Sequence, residues 1–177
     1  MKWMKQHKFL TGAMILLLCC AGVIFYIFTE TILTPVQSTE QVNKTINESS
    51  EKLAEIDLSN NPFPVGGATI TEDQIQKYLH GMSHQKVEAK DKWIHFEITE
   101  ERILYLIKQI ESDKEAFENS DLYLDILSRW LENDYADADR DHNAIWSLQG
   151  GTIGKATGVL SKDEELKYLE ENKGEIK

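Results

Sequence analysis

The sequence predicts a mainly α-helical protein with an N-terminal transmembrane helix, a polar stalk and a compact extracytoplasmic domain of about five helices. Three observations predict this arrangement. Residues 9–28 form an apolar run of twenty residues without a charge. After residue 70, apolar side chains recur at the i, i+3, i+4, i+7 spacing of amphipathic helices. No alternating run of polar and apolar residues is long enough to indicate a substantial strand.

The apolar run at residues 9–28 is long enough to cross a bilayer, because a transmembrane helix needs about 20 apolar residues. Lys2, Lys5 and Lys8 precede it, and Glu30 follows it. Since positive charge stays on the cytoplasmic side, we expect residues 1–8 inside the cell and the rest of the chain outside the cell membrane. A cleaved signal peptide would have a core of about 7–15 apolar residues and a small-residue cleavage site. The pattern therefore favours an uncleaved signal anchor.

Cys19 and Cys20 are the only cysteines, and both lie inside the apolar run. Neither follows a small residue of the kind that precedes the modified cysteine of a lipoprotein. The exported part therefore has no disulfide and no thiolate zinc site. This favours a bacterial cell surface over a eukaryotic secreted protein.

The exported part is strongly acidic. The chain has 30 Asp and Glu residues against 19 Lys and Arg residues. Leaving out the three N-terminal lysines gives 16 basic residues against 30, a net charge near −14. Because nucleic-acid-binding proteins carry a basic patch, we predict no nucleic-acid partner, and we predict no cofactor. The partners that we expect are the membrane, through one span, and an envelope protein.

Residues 29–67 are predicted to form a polar stalk or linker. A seam at 4-3-4-3 spacing covers about two heptads, at Val42, Ile46, Ser49, Leu53 and Ile56. A sustained coiled coil needs at least about three heptads, so this seam predicts a marginal helix with weak self-association. Residues 60–67 contain two prolines and two glycines that end it. We expect the folded domain to begin near Ala68.

Residues 68–172 carry the predicted helices, and 173–177 form a tail. Capping boxes at Thr71–Gln74 and Ser161–Glu164 start the first and last helices, and the last one should bury Leu166 and Leu169. Three further helices are expected to begin near Thr99, Asn119 and Asp137, the last of these ending by Gly150 and Gly151. Residues 83–98 are irregular or briefly extended, with Trp93 and Phe96 available to pack.

Several blocks of the domain together carry a resemblance to known sequences; they are residues 82–87, 123–127, 129–130, 141–146 and 148–158. They resemble an uncharacterised family of small membrane-anchored proteins from spore-forming Gram-positive bacteria, catalogued as a domain of unknown function. The resemblance covers about half the chain, roughly residues 75–168. It implies an anchored bacterial protein, and because the family carries no assigned activity it implies no site residue.

The most suggestive motif is the glycine-rich segment 149–158. It differs from a phosphate-binding Walker A loop, because Gln149 replaces the first glycine and Ala156 replaces the magnesium-binding hydroxyl. Two interpretations remain open. The segment is a tight loop packed against the helices, or its N–H groups bind an anion such as a peptide carboxylate.

An aspartate-rich stretch, Asp137, Asp139 and Asp141, resembles the start of a calcium loop. His142 and Leu148 occupy the positions where an EF-hand needs Gly and Glu. Aspartates at a helix N-terminus are also favoured by the helix dipole alone. The dipole interpretation is therefore preferred.

The exported histidines are His80, His84, His95 and His142. A zinc site without cysteine needs several histidines together with carboxylates. We single out His84 and His142, because each lies in a polar motif beside apolar core positions. Hydrogen-bonded structural roles are favoured for both. The alternative is a divalent metal ion held by His142 with Asp139 and Asp141.

No catalytic residue can be nominated, because the chain has no Gly-Xaa-Ser-Xaa-Gly elbow and no exported cysteine nucleophile. Our first hypothesis is therefore a binding module at the cell envelope rather than an enzyme. Its ligand-binding surface would comprise His84, His142, Asn143, Gln149, Gly150, Gly151, Thr152, Gly154 and Lys155. The alternative is a metal-binding domain or a metal-assisted hydrolase that uses His142 and the nearby aspartates.

Overall fold

The computed structural model describes residues 48, 50–64 and 70–175. Within these residues, a short helical segment at 50–55 is followed by five α-helices and a two-stranded antiparallel sheet. The helices are α1 (Glu72–Ser83), α2 (Glu100–Ser112), α3 (Ser120–Leu131), α4 (Ala138–Leu148) and α5 (Lys162–Glu171), with one 3-10 turn (Lys114–Ala116) between α2 and α3. The strands are β1 (Val87–Glu88) and β2 (Gly158–Val159), with Val87 opposite Val159. The prediction of a mainly helical domain with about five helices is confirmed.

The predicted anchor at 9–28 lies outside the described residues, as do residues 1–8 and most of the stalk. Contacts along the chain separate residues 1–48 from residues 49–177, and the helices and strands named above lie in the second unit. Within the described residues, none of the helices has the length and apolar character that crossing a membrane requires.

Side-chain caps start three of the helices where the sequence predicts them. At α1, Thr71 Oγ1 accepts a hydrogen bond from the Gln74 N–H at 3.3 Å, and the Gln74 side-chain oxygen accepts one from the Thr71 N–H at 2.9 Å. Ser161 and Glu164 form the same box at α5, and Thr99 caps α2. These caps satisfy backbone N–H groups that a helix leaves free in its first turn.

Helix α3 has no side-chain cap of its own and is capped by α1 instead. The Glu72 carboxylate accepts hydrogen bonds from the N–H groups of Glu118 and Asn119 at 2.9 and 3.0 Å, and from the Tyr123 hydroxyl at 2.7 Å. Burial alone would favour the neutral acid, but these bonds outweigh it and lower the pKa of Glu72 to about 2. The carboxylate therefore ties α1 to the start of α3.

The core lies between helices α1, α2 and α3, with α1 packed on α4 and α2 packed on α3. Helix α5 differs from its prediction, because Leu166 is 57% exposed and α5 contains no buried residue. Polar contacts hold α5 instead: the Tyr168 hydroxyl lies 2.5 Å from His95 Nδ1. The other apolar faces that helical spacing predicts are buried, and they include Ile75, Leu79, Leu106, Ile107, Ile126 and Leu127.

The C-terminal part of the predicted stalk packs against this core. Phe63 is 3% exposed and stacks on Tyr78 with ring centroids 3.8 Å apart. Leu53 and Ile56, two members of the predicted heptad seam, also contact the core. Packing therefore begins N-terminal to Ala68, the position near which we expect the domain to start, because Phe63 supplies an aromatic ring that the α1 surface buries.

Replacing Phe63 by alanine should lower the free energy of unfolding by about 3–5 kcal/mol, the usual cost of removing a buried aromatic ring. Urea denaturation of the full chain, followed by tryptophan fluorescence, measures this change. Leu166→Ala serves as the control, since that side chain is largely exposed and its loss should cost under about 0.5 kcal/mol. Equal effects of the two substitutions would contradict the packing of residues 53–63 on the domain.

Candidate functional site

Three imidazoles meet where α1 packs on α4. His80 lies in the last turn of α1, His84 directly follows that helix, and His142 lies on α4. One ring nitrogen from each of the three lies within 4.8 Å of the other two. His84 is 3% exposed and His142 is fully buried, whereas His80 is partly exposed. In the part of the chain that the structure describes, no carboxylate or thiolate belongs to this cluster.

The hydrogen bond of His84 determines which of its nitrogens carries the proton. His84 Nδ1 lies 2.6 Å from the carbonyl oxygen of Ile94. A carbonyl oxygen only accepts, so Nδ1 carries the hydrogen and donates it. In the neutral ring, Nε2 then presents a lone pair. That nitrogen is the one buried side-chain polar atom without a hydrogen-bond partner among the described residues.

His142 is oriented in the same way by Asn143. The Asn143 side chain accepts from the Ala156 N–H at 2.8 Å and donates to the Ala156 carbonyl at 3.0 Å. This pair of bonds fixes which end of the amide is oxygen. The Asn143 oxygen lies 3.3 Å from His142 Nδ1, which therefore donates, so the lone pair of His142 also lies on Nε2.

His80 completes the set. Its Nδ1 lies 2.5 Å from the side-chain oxygen of Gln149, and its Nε2 lies 3.0 Å from His142 Nε2. If the Gln149 oxygen accepts from His80 Nδ1–H, the Nε2 lone pairs of His80 and His142 face each other at hydrogen-bond distance with no proton between them. A cation between the rings would convert this repulsion into attraction.

The three histidines could hold a transition-metal ion. Zinc binds histidine nitrogens at about 2.0–2.1 Å, which places tetrahedral ligand nitrogens roughly 3.3 Å apart. Histidines that bind metals almost always donate their other ring N–H to a carbonyl, a carboxylate or water, which fixes the ring. All three histidines have an oxygen partner of this kind here.

The electrostatics of the cluster keep the imidazoles neutral, the form that binds metals. Burial is the largest cause, and it lowers the pKa of His84 to about 3 and that of His142 to about 4. Repulsion between the neighbouring rings adds to the effect at both residues. Burial also lowers the pKa of His80.

A cavity of about 320 Å³ opens beside the cluster. His80 and His84 form part of its wall, whereas His142 is fully buried and does not line it. Two of the three histidines of the cluster therefore border a pocket that is open to solvent. The rest of the wall comes from α1, from the segment before α2, and from the end of α4 with the loop after it, namely Lys77, Asp91, Trp93, Ile94, Trp146, Gln149, Gly150, Gly151, Thr152 and Ile153.

The glycines of segment 149–158 build the pocket wall. Gly150, with φ +67°, ends α4 in a Schellman motif, in which the Gly150 N–H bonds the Ser147 carbonyl and the Gly151 N–H bonds the Trp146 carbonyl. A Cβ on Gly151 would collide with the Trp146 ring. The N–H groups of Gly150 and Gly151 are thus used within the fold, which favours the tight-loop interpretation over an anion held by these two groups.

The structure brings some of the nominated ligand residues together and not others. The rings of His84 and His142 are 5.4 Å apart, and Asn143 orients His142 from behind. Gly154, with φ +85°, faces the backbone of Asp91, and Lys155 is exposed; neither lines the cavity. The nominated residues that do line it are His84, Gln149, Gly150, Gly151 and Thr152.

The aspartates of the alternative metal set have other partners or lie elsewhere. The Asp141 carboxylate accepts two hydrogen bonds from the Arg129 guanidinium, at 2.8 and 3.0 Å, and one from Trp130 Nε1 at 3.0 Å. Asp139 is partly exposed and does not belong to the histidine cluster. The metal ligands that the geometry offers are therefore His80, His84 and His142.

His80 was not singled out from the sequence, although the signal was present. His80 and His84 are separated by three residues, and this i, i+4 spacing places two side chains on one face of a helix. Trp93 was expected to be available for packing, but its side chain is 76% exposed at the edge of the cavity.

Residues 79–170 match the model of a family of unknown function, DUF6241. No curated protein and no solved structure matches the chain significantly.

The metal-free protein should lose stability as the pH falls from about 6.5 toward 4. An imidazole in the unfolded chain titrates near 6.5, whereas folded His84 and His142 titrate near 3 and 4. Between these values the unfolded state binds more protons, so the free energy of unfolding rises with pH, by up to about 1.4 kcal/mol per pH unit for each histidine, and levels off above about pH 6.5.

Urea denaturation in the presence of a chelator, at several pH values between about 4.5 and 7.5, measures this slope. His84→Gln and His142→Gln should each flatten it. The pKa of His95 is also lowered by burial, so some slope will remain in both variants. A slope unchanged in the double variant would contradict the burial of neutral imidazoles in the cluster.

Proposed function

The chain belongs to a family of unknown function (DUF6241), and we propose from the site alone that the domain binds a transition-metal ion, zinc in the first place, through Nε2 of His80, His84 and His142. The observation that carries the proposal is the orientation of the rings. Nδ1 of His84 and Nδ1 of His142 each donate to an oxygen, so both Nε2 lone pairs are left for a shared ligand. His80 Nε2 lies 3.0 Å from His142 Nε2 and can join them.

The unpartnered nitrogen of His84 gives the strongest support. A buried polar atom without a partner costs about 1–3 kcal/mol, and such atoms are rare in native proteins. Coordination of a metal ion by His84 Nε2 would remove this cost. The lowered pKa values of His84 and His142 support the same conclusion, since only neutral imidazole donates a lone pair.

The donor set selects the class of metal. Imidazole nitrogen suits zinc, copper, nickel and iron, whereas calcium and magnesium require oxygen ligands. Three neutral nitrogens and no carboxylate in the described part of the cluster therefore favour zinc and its transition-metal neighbours over the alkaline-earth ions. The nitrogen donor set also argues against a calcium site at the aspartate-rich start of α4, where Asp141 is already bonded to Arg129.

We further propose that the domain lies outside the cell membrane, held by a transmembrane helix at residues 9–28. The uncharged run of twenty residues and the lysines before it support this placement. The strong negative charge of the remaining chain would raise the local concentration of cations around the domain. The domain would then be a metal-dependent binding module at the cell envelope.

Zinc should stabilise the full chain against heat, because it binds the folded state alone. At a zinc concentration of about 100 Kd the gain is about 2.7 kcal/mol, which raises Tm by roughly 5–10 °C. Thermal melts with zinc, calcium and magnesium, together with titration calorimetry for zinc, measure the effect. Calcium and magnesium should leave Tm unchanged. The same melt with all three ions would contradict the proposal.

Matched variants test whether zinc binding depends on the histidine cluster or on residues around it. His84→Gln and His142→Gln should weaken zinc binding at least about tenfold, because the loss of even an outer-shell partner of a metal site usually costs about 10–100-fold in affinity. His95→Gln alters a buried histidine outside the cluster and should keep the zinc affinity of the unaltered chain. Asp141→Asn alters the carboxylate bonded to Arg129 and should lower the stability of the domain.

Protease treatment of intact bacterial cells tests the placement of the domain. With a C-terminal tag on the full chain, external protease should remove the tag without lysis, because the segment after residue 28 would face outward. A cytoplasmic protein expressed in the same cells serves as the control for lysis. Protection of the tag until the membrane is opened would contradict an outward-facing domain.

A further inference from the structure

We propose that the metal centre keeps one coordination position open to the neighbouring cavity, and that the cavity takes a small organic carboxylate bearing an apolar or aromatic group, whose carboxylate completes the coordination. This inference rests on the proposed metal site and adds the class of ligand that the site recognises.

The number of protein ligands leaves a position for the carboxylate. Structural zinc sites are closed by four protein ligands, whereas sites that exchange ligands have three and an open position. Only His80, His84 and His142 form the cluster among the described residues. His142 is fully buried and does not line the cavity, whereas His80 and His84 border it. The side of the cluster that faces the cavity is therefore the side where a fourth ligand would enter.

The charge of the centre favours an anion in that position. Three neutral imidazoles leave the two positive charges of the metal ion uncompensated. The cavity wall contains one lysine, Lys77, and one carboxylate, Asp91, so the wall adds no net charge. An anionic fourth ligand would thus bind more strongly than a neutral one at this partly buried position.

The walls favour a ligand with an apolar group. Trp93 and Ile153 are 76% and 57% exposed and both line this cavity, and exposed apolar side chains that lie together mark ligand-binding grooves. The Trp146 ring is held in place, because its Nε1 donates to the Ile153 carbonyl at 2.7 Å and Gly151 leaves room for it. A volume of about 320 Å³ lies at the small end for ligand pockets, which suits a small molecule.

Several N–H groups of the glycine-rich segment are not free to bind the carboxylate. The N–H groups of Gly150, Gly151, Ala156 and Thr157 all donate within the fold. We therefore assign recognition of the carboxylate to the metal ion, while the loop shapes the wall. Removing the metal should abolish carboxylate binding, which a site built from loop N–H groups would not show.

Cobalt provides the probe, because Co²⁺ takes zinc sites and its visible absorption reports its ligands. The full chain, loaded with Co²⁺, is titrated with phenylacetate, with acetate and with benzyl alcohol. Phenylacetate should change the cobalt spectrum saturably and bind about tenfold or more tightly than acetate, because its ring leaves water for the cavity wall. Acetate should produce the same spectral change at higher concentration, and benzyl alcohol should produce none.

A substitution in the cavity wall tests the contribution of the ligand's apolar group separately from that of its carboxylate. Trp93→Ala should reduce the affinity for phenylacetate to nearly that for acetate, while the affinities for Co²⁺ and for acetate stay the same. Trp93 is not a metal ligand and is largely exposed, so the variant should fold. Leu166→Ala, which removes an exposed apolar side chain from α5, is the control and should change none of these values.

The outcomes distinguish this inference from the metal site on which it rests. Failure of Co²⁺ to bind would overturn the proposed function and the inference with it. Full binding of Co²⁺ with a spectrum that none of the three probes changes would overturn the inference alone. Equal affinity for acetate and phenylacetate, or unchanged phenylacetate binding in Trp93→Ala, would overturn the role of the apolar wall.

Discussion

The packing of α1 on α4 is the constraint on which the candidate site depends. The i, i+4 spacing gives His80 and His84 one face at the end of α1, and the contact with α4 places His142 against that face. Gly81 lies between the two histidines, where a Cβ would come within 2.5 Å of the Phe96 ring. Its lack of a side chain lets the segment before α2 approach α1, and the Ile94 carbonyl then meets His84 Nδ1.

The position of α4 depends in turn on a buried carboxylate. Asp141 accepts hydrogen bonds from Arg129 and Trp130 of α3. His142, the next residue along α4, contacts His80 of α1 instead. Two adjacent polar residues thus serve different purposes, since one orients the helix through α3 and the other contributes to the site. Removing one partner of a buried ion pair of this kind is costly, because the remaining charge loses its compensation.

Helix starts were the part of the fold that local sequence could predict, because a capping box involves only four neighbouring residues, as at Thr71 and Ser161. The burial of Phe63 and the exposure of Leu166 depend on contacts between distant segments, so residue spacing could not supply them.

The candidate site was predictable only in part. His84 and His142 could be nominated from their polar surroundings in the sequence. Their proximity could not be predicted, because no local sequence pattern indicates which face of α4 packs against α1. His80 could have been nominated from the sequence as well, because its spacing from His84 places both side chains on one face of a helix.

Hydrogen bonding within the cluster can be satisfied without a metal ion for only two of the three rings. If the Gln149 amide were turned over, its N–H would donate to His80 Nδ1, and His80 Nε2 could then donate to His142 Nε2 at the observed 3.0 Å. That arrangement removes the repulsion between those two rings. It leaves His84 as before, because the Ile94 carbonyl holds the proton on Nδ1 and neither neighbouring ring has a second hydrogen to give. The lone pair of His84 therefore decides between a hydrogen-bonded trio and a metal centre, and its burial without a partner favours the metal.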